Sequence, residues 1–128
     1  MNIGRLSGLT GITAKTIRYY ESIGLIPEPP RTPGGYRDFG ETDVETLRFV
    51  SKARLLGFPL KDVTELVSLW QDRDRSSAEV KALTERHIAE IEQRIGELES
   101  VRRTLLDLSR RCHGDARPDC PILDDLAG

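Results

Sequence analysis

Apolar positions along this chain recur at helical spacing over most of its length, and the interruptions mark the element ends. Ile3, Leu6 and Leu9 open the series, which stops at Thr10-Gly11. Thr13 is placed to N-cap a second short helix running Ala14-Lys15-Thr16-Ile17-Arg18-Tyr19-Tyr20-Glu21, with Gly24 as its stop. Two short helices joined by a Gly-containing turn predict a helix-turn-helix. Pro27, Pro29, Pro30 and Pro33 then forbid helix. Gly34-Gly35 predicts a tight turn, with Tyr36-Arg37-Asp38-Phe39 as a short strand returning from it, and together these make a small wing.

Thr42 and Glu45 suggest a capping box for a helix through Val44, Leu47, Val50 and Arg54 to Gly57. Pro59 suits the first turn of another, with Val63, Leu66, Val67 and Trp70 on its apolar side. After the polar linker Gln71-Asp72-Arg73-Asp74-Arg75, Ser76 and Glu79 suggest a second box. Val80, Leu83, Ile88, Ile91, Ile95, Leu98, Val101, Leu105 and Leu108 follow, mostly three or four apart, with no proline before Pro118. Roughly 34 residues at about 1.5 Å each give a helix on the order of 50 Å long. Its stripe has nothing in so small a domain to cover it, so a second copy of the chain is expected to pair with it.

The expected fold is all-α with a small β wing. A winged helix-turn-helix domain with its connector helices spans 1–70, a long dimerisation helix 76–111, and a cysteine-bearing loop with a short C-terminal helix 112–128; the resemblance drawn below implies that the first binds DNA and that the long helices pair antiparallel. At 128 residues, 38% hydrophobic and 31% charged, the chain is more polar than a single globule of its size, and a long helix burying one stripe accounts for the shortfall. No apolar run is long enough to cross a membrane. Met1 to Arg5 leads straight into the helical pattern with no leader, so a cytoplasmic location is expected. Charge permits nucleic-acid binding without establishing it: residues 1–60 hold 8 Lys/Arg against 6 Asp/Glu, the remainder 11 against 15. An enzyme is not expected, because no nucleophile–base pair, phosphate-binding glycine loop or spaced carboxylate pair appears.

The two cysteines carry the other candidate chemistry. Cys112 ends the long helix, and Cys120 lies eight residues later, with Gly114 and Pro118 shaping the loop between. Soft thiolates select Cu(I), Zn(II) and similar ions. The spacing is not that of a four-ligand zinc site, whereas two thiolates suffice for linear coordination of a monovalent d10 ion. Pro121 starts a short helix that leaves Cys120 at its N-cap, where amide groups favour an anionic thiolate. Ile122 and Leu123 are placed to cover the site. Two inert buried thiols, or a thiol–disulfide switch that would make the chain a redox-responsive regulator, are the alternatives. His113 points along the chain in a direction awkward for joint coordination and is read as structural; His87 is read as an interface or surface residue.

The run Thr13-Ala14-Lys15-Thr16-Ile17-Arg18-Tyr19-Tyr20-Glu21-Ser22-Ile23-Gly24-Leu25-Ile26 resembles the MerR family of winged-helix transcription regulators. So do the wing Arg31-Thr32-Pro33-Gly34-Gly35-Tyr36-Arg37 and the order wing, two helices, long helix. Cys112-His113-Gly114-Asp115-Ala116-Arg117-Pro118-Asp119-Cys120-Pro121-Ile122 resembles the copper-efflux regulators within that family. In such a module the second helix enters the major groove, so Lys15, Thr16, Arg18 and Tyr19 are expected to face DNA, with Ile17 on the buried side. Lys15 and Tyr20 suit phosphate, and Arg18 suits either base edges or phosphate. Arg37 with Tyr36 beside it, and by resemblance Arg31, would bring the wing to the backbone. Solvated charge, or for the tyrosines a place in the core, is the alternative.

The resemblance further implies a homodimer that binds double-stranded promoter DNA and answers Cu(I), with Ag(I) and Au(I) as equivalents. It would act on RNA polymerase indirectly, by bending and untwisting a promoter with an overlong spacer. It also implies that Ser77 of one chain faces Cys112 and Cys120 of the other, where zinc and mercury sensors of the family carry cysteine. Lys81, one turn on, would help neutralise the anionic complex.

Overall fold

Asn2 opens the first helix, its side-chain oxygen accepting the Arg5 backbone N–H at 2.8 Å. The computed structural model describes residues 1–128, folded into six helices: α1 (Ile3–Thr10), α2 (Ala14–Ser22), α3 (Glu41–Leu55), α4 (Leu60–Gln71), α5 (Ser77–Arg111) and α6 (Pro121–Ala127). Helix α1 closes on Gly11, whose φ of 74° is the left-handed conformation a helix stop requires. Thr13 caps α2 by accepting the Thr16 N–H at 3.2 Å. Gly24, at φ 78°, ends that helix, and Leu25 donates back to the Tyr20 carbonyl at 2.9 Å.

The chain divides into two compact units, Met1–Leu83 and Thr84–Gly128. In the first, α1 packs on α2 and α3, and α3 packs on α4. Leu6 of α1, Ile17 of α2, Ile26, Phe39, Leu47 and Val50 of α3, Val63 of α4 and Leu83 of α5 are fully buried in one cluster. Each such side chain contributes roughly 1.5–3 kcal/mol relative to exposure. Phe49 and Trp70 stack at 4.5 Å between ring centroids, tying α3 to the end of α4. Trp70 stays 40% exposed rather than joining the buried side of α4.

Three local expectations are corrected. The start of α3 is boxed by Gly40 and Asp43 rather than by Thr42 and Glu45. The Asp43 carboxylate accepts the Gly40 N–H at 3.0 Å, and the Asp43 N–H donates back to the Gly40 carbonyl at 3.1 Å. Tyr36–Phe39 forms no strand. The wing is a hairpin with a single antiparallel bridge, Arg31 to Arg37, closed by Thr32 N–H to the Tyr36 carbonyl at 2.7 Å and Asp38 N–H to the Pro30 carbonyl at 2.8 Å. Too few residues separate the prolines from α3 for a longer ladder. Pro59 caps α4 from just outside its first turn.

The second unit holds most of α5, the loop 112–120 and α6. At the start of α5, the Ser76 hydroxyl accepts the Ala78 N–H at 3.2 Å. Along the helix Ile88, Ile91, Ile95, Leu98, Val101 and Leu105 are all exposed, between 41% and 62%. Leu108 is buried, and so is His87, expected at an interface or the surface. No helix is long and apolar enough to cross a membrane.

Candidate functional sites: an arginine face and a thiol loop

Helix α2 splits its residues by face. Ile17 and Tyr20, three apart, point into the core, at 0% and 8% exposed. Lys15, Arg18 and Tyr19 are exposed, and Thr16 is half-buried. The Thr16 hydroxyl accepts from that of Thr13 at 2.9 Å, so Thr16 also secures the helix start. Tyr20 is placed by burial in the core cluster, and the phosphate contact expected of it is not supported. Tyr19 remains at the surface, with its ring tilted against that of Tyr20 at 6.2 Å.

The wing brings a second set of residues to the same place. Arg18 from α2 and Arg31, Tyr36 and Arg37 from the wing line a hollow of about 210 Å³ with Asn2, Ile3 and Gly35. Four of the residues expected to meet DNA therefore converge on one open surface, three of them cationic. Arg31 is held by its Nη1 donating to the Gly35 carbonyl at 2.8 Å. Gly35 sits at φ 84°, which the tight turn demands. Arg37 donates from Nε to both carboxylate oxygens of Glu21, at 3.1 and 3.0 Å. Glu21 was not singled out in the sequence. It lies sixteen positions from Arg37 with no local signal to link them, and only the return of the wing onto α2 brings the two together.

At the far end of α5, Cys112 follows the last helical residue and its N–H donates to the Ser109 carbonyl at 3.2 Å. Cys120 is the N-cap of α6, with Pro121 in the first turn and no side-chain cap bond. Both cysteines are free thiols, half-buried. Between them Gly114, at φ 66°, turns the chain, and Asp115 fixes the loop. One Asp115 oxygen accepts the Arg117 N–H, and the other accepts from Nε, each at 2.9 Å. Hydrogen bonds from the Arg117 side chain, then from its backbone N–H, hold the Asp115 carboxyl below the usual carboxylate range. Ile122 is half-buried, while Leu123 is 63% exposed and gives the thiols no cover in the single chain. His113 is exposed beside Cys112. No group of three or more His, Cys, Asp or Glu side chains is placed to hold a metal ion; the loop carries two sulfurs, those of Cys112 and Cys120.

Ser77 is the first residue of α5 and Lys81 lies one turn on, both exposed. The helix has 35 residues, roughly 50 Å at about 1.5 Å per residue. Ser77 and Cys112 stand at its opposite ends, and the two are not brought together within one chain.

Comparison with known proteins agrees with the fold. Residues 1–70 match the MerR HTH family of regulatory proteins and residues 44–108 the family described as MerR, DNA binding. The "heavy metal-dependent transcription regulator 2" of Rhizobium meliloti is 51% identical over 99% of this chain and 86% of its own length. The transcriptional regulator CueR of Escherichia coli O6:H1 is 44% identical over 100% and 95%. Among solved structures, PbrR691 of Ralstonia metallidurans CH34, in complex with lead(II), superposes with a TM-score of 0.86 at 34% identity, covering 98% of each chain. The chain belongs to the MerR family of DNA-binding transcription regulators and is not an enzyme.

Proposed function

We propose that this protein is a Cu(I)-responsive regulator that binds promoter DNA as a homodimer and activates transcription by distorting it, with Ag(I) and Au(I) as effectors of the same chemistry. The observation that carries the metal assignment is the pair of free, half-buried thiols at the two ends of one short loop. Soft thiolates suit soft monovalent ions, and a divalent ion such as Zn(II) prefers four ligands where this loop offers two sulfurs. A bound ion would supply a bridge between the end of α5 and the start of α6, held by Cys112 and Cys120. The Asp115–Arg117 clamp already limits the loop's freedom, which lowers the ordering cost of bringing the two sulfurs to one ion. The relatives named as heavy metal-dependent, or solved with lead(II), support a metal effector in general.

The exposed stripe on α5 supports the dimer. Six large apolar side chains at three- and four-residue spacing would remain in water on an isolated chain. A second copy lying antiparallel would cover them and carry Ser77 and Lys81 of one chain toward the thiol loop of the other. In this reading residues 1–70 hold DNA, 76–111 hold the dimer and 112–128 sense the ion. The arginine face grips the duplex and RNA polymerase is affected through DNA shape, which places the protein in the cytoplasm with its promoter.

Replacing either thiol tests the reading. Cys112→Ser and Cys120→Ser should each abolish Cu(I)-dependent transcription while keeping DNA affinity, because the loop lies far along the chain from the arginine face. Loss of DNA binding would assign the cysteines a structural role. A copper response retained in both variants would refute the sensor. Activation by an oxidant with no response to Cu(I) under reducing conditions would mark a disulfide switch instead.

A further inference from the structure

The hairpin of the wing sets two arginines directly opposite each other. Arg31 and Arg37 form its one antiparallel bridge, a geometry that brings Cβ atoms to about 4.5–5.5 Å and makes like charges unfavourable. Arg18 enters the same hollow from α2. Each wing arginine is restrained by a different acceptor, Arg31 by the Gly35 carbonyl and Arg37 by Glu21. The Glu21 side chain is 10% exposed and that of Arg37 38%. The carboxylate is therefore largely withdrawn from solvent, and the guanidinium reaches from it toward the surface. The pair engages Nε alone, so both Nη groups remain for another acceptor. Glu21 also belongs to α2 and Arg37 to the wing, so this ion pair couples the two elements that form the hollow.

We infer that Glu21 is a positioning residue for DNA binding, fixing Arg37 and the wing against α2 so that the Nη groups of Arg37 are presented to a phosphate. The inference rests on the reading of the arginine face as the DNA surface. Its physical content is an affinity gain from preorganisation: an unrestrained arginine would have to be ordered on binding. It runs against simple electrostatics. Glu21 is a negative charge beside a surface that meets phosphates, and on Coulomb grounds alone its removal should strengthen binding.

That opposition in sign makes the test decisive. The probe is a duplex selected from a random-sequence library on the wild-type protein, with binding measured over a range of salt concentrations for wild type, Glu21→Gln, Arg37→Gln and the double variant. Glu21→Gln keeps the shape of the side chain and removes its charge. Positioning predicts that Glu21→Gln weakens binding about three- to tenfold. The slope of log affinity against log salt should also fall by about one phosphate contact. In the Arg37→Gln background the same change should have no further weakening effect, since there is no guanidinium left to position. Tighter binding by Glu21→Gln would overturn the inference in favour of plain repulsion. An equal loss in both backgrounds would also overturn it, by showing that Glu21 acts on the fold of α2 rather than through Arg37. If Arg37→Gln itself left affinity and salt slope unchanged, the reading of the wing as a DNA contact would fail and the inference with it. A loss in Arg37→Gln with none in Glu21→Gln would sink the positioning role alone.

Discussion

Ile17 and Arg18 are neighbours in the chain and opposite in placement, one at 0% exposure in the core and the other lining the hollow shared with the wing. Within that single turn of α2, the residue that anchors the helix also aims the next one outward. Arg18→Ala is expected to weaken binding to a selected duplex by about 1–3 kcal/mol if its fork meets a base edge, and to leave the dimer intact. Affinity at matched salt that does not change would remove Arg18 from the reading surface. Tyr20 shows what helical period could and could not decide. Its chemistry suits phosphate, but it lies three residues from Ile17, on the face turned to the core. Glu21 was out of reach of such reasoning, because its partner arrives through the tertiary return of the wing.

At the scale of elements, periodicity carried most of the architecture, since a stripe three and four residues apart has few other outcomes than a helix. It was weakest where side chains do not make the signal. The α3 cap rests on Gly40, which has no side chain to recognise, and Asp43 reaches back to its N–H. The wing has one bridge rather than a strand, because turn and prolines leave no room for a ladder. The long helix is the element with the clearest consequence. Ile91 and Leu98 are 41% and 62% exposed in the single chain, and pairing would bury them. Ile91→Glu or Leu98→Glu should therefore give monomers or aggregates, by placing an unpaired charge in the seam. Sedimentation as a stable dimer would place the interface on another face of α5.

For the whole molecule, the distance along α5 sets the logic. The thiols and Ser77 stand at opposite ends of a 35-residue helix, so antiparallel pairing is what would let one chain's Ser77 meet the other's loop. That pairing is what the resemblance implies. In the single chain the two ends of the loop carry free, half-buried thiols, and Leu123 is 63% exposed. A serine hydroxyl stays protonated near neutral pH and is a poor ligand, so Ser77→Cys should add a thiolate from the partner and let Zn(II) or Hg(II) activate transcription. A variant with no such gain would show that Ser77 does not govern metal choice. The central claim is that two thiolates on one loop make this a sensor of soft monovalent ions. Its most direct test is transcription by the wild-type protein from a promoter with an overlong spacer, with Cu(I), Ag(I), Au(I), Zn(II) and Hg(II) added in turn under reducing conditions. The account predicts activation by the three monovalent ions and not by Zn(II), which two sulfurs do not satisfy; activation by Zn(II) as strong as by Cu(I), or by no metal at all, would contradict it.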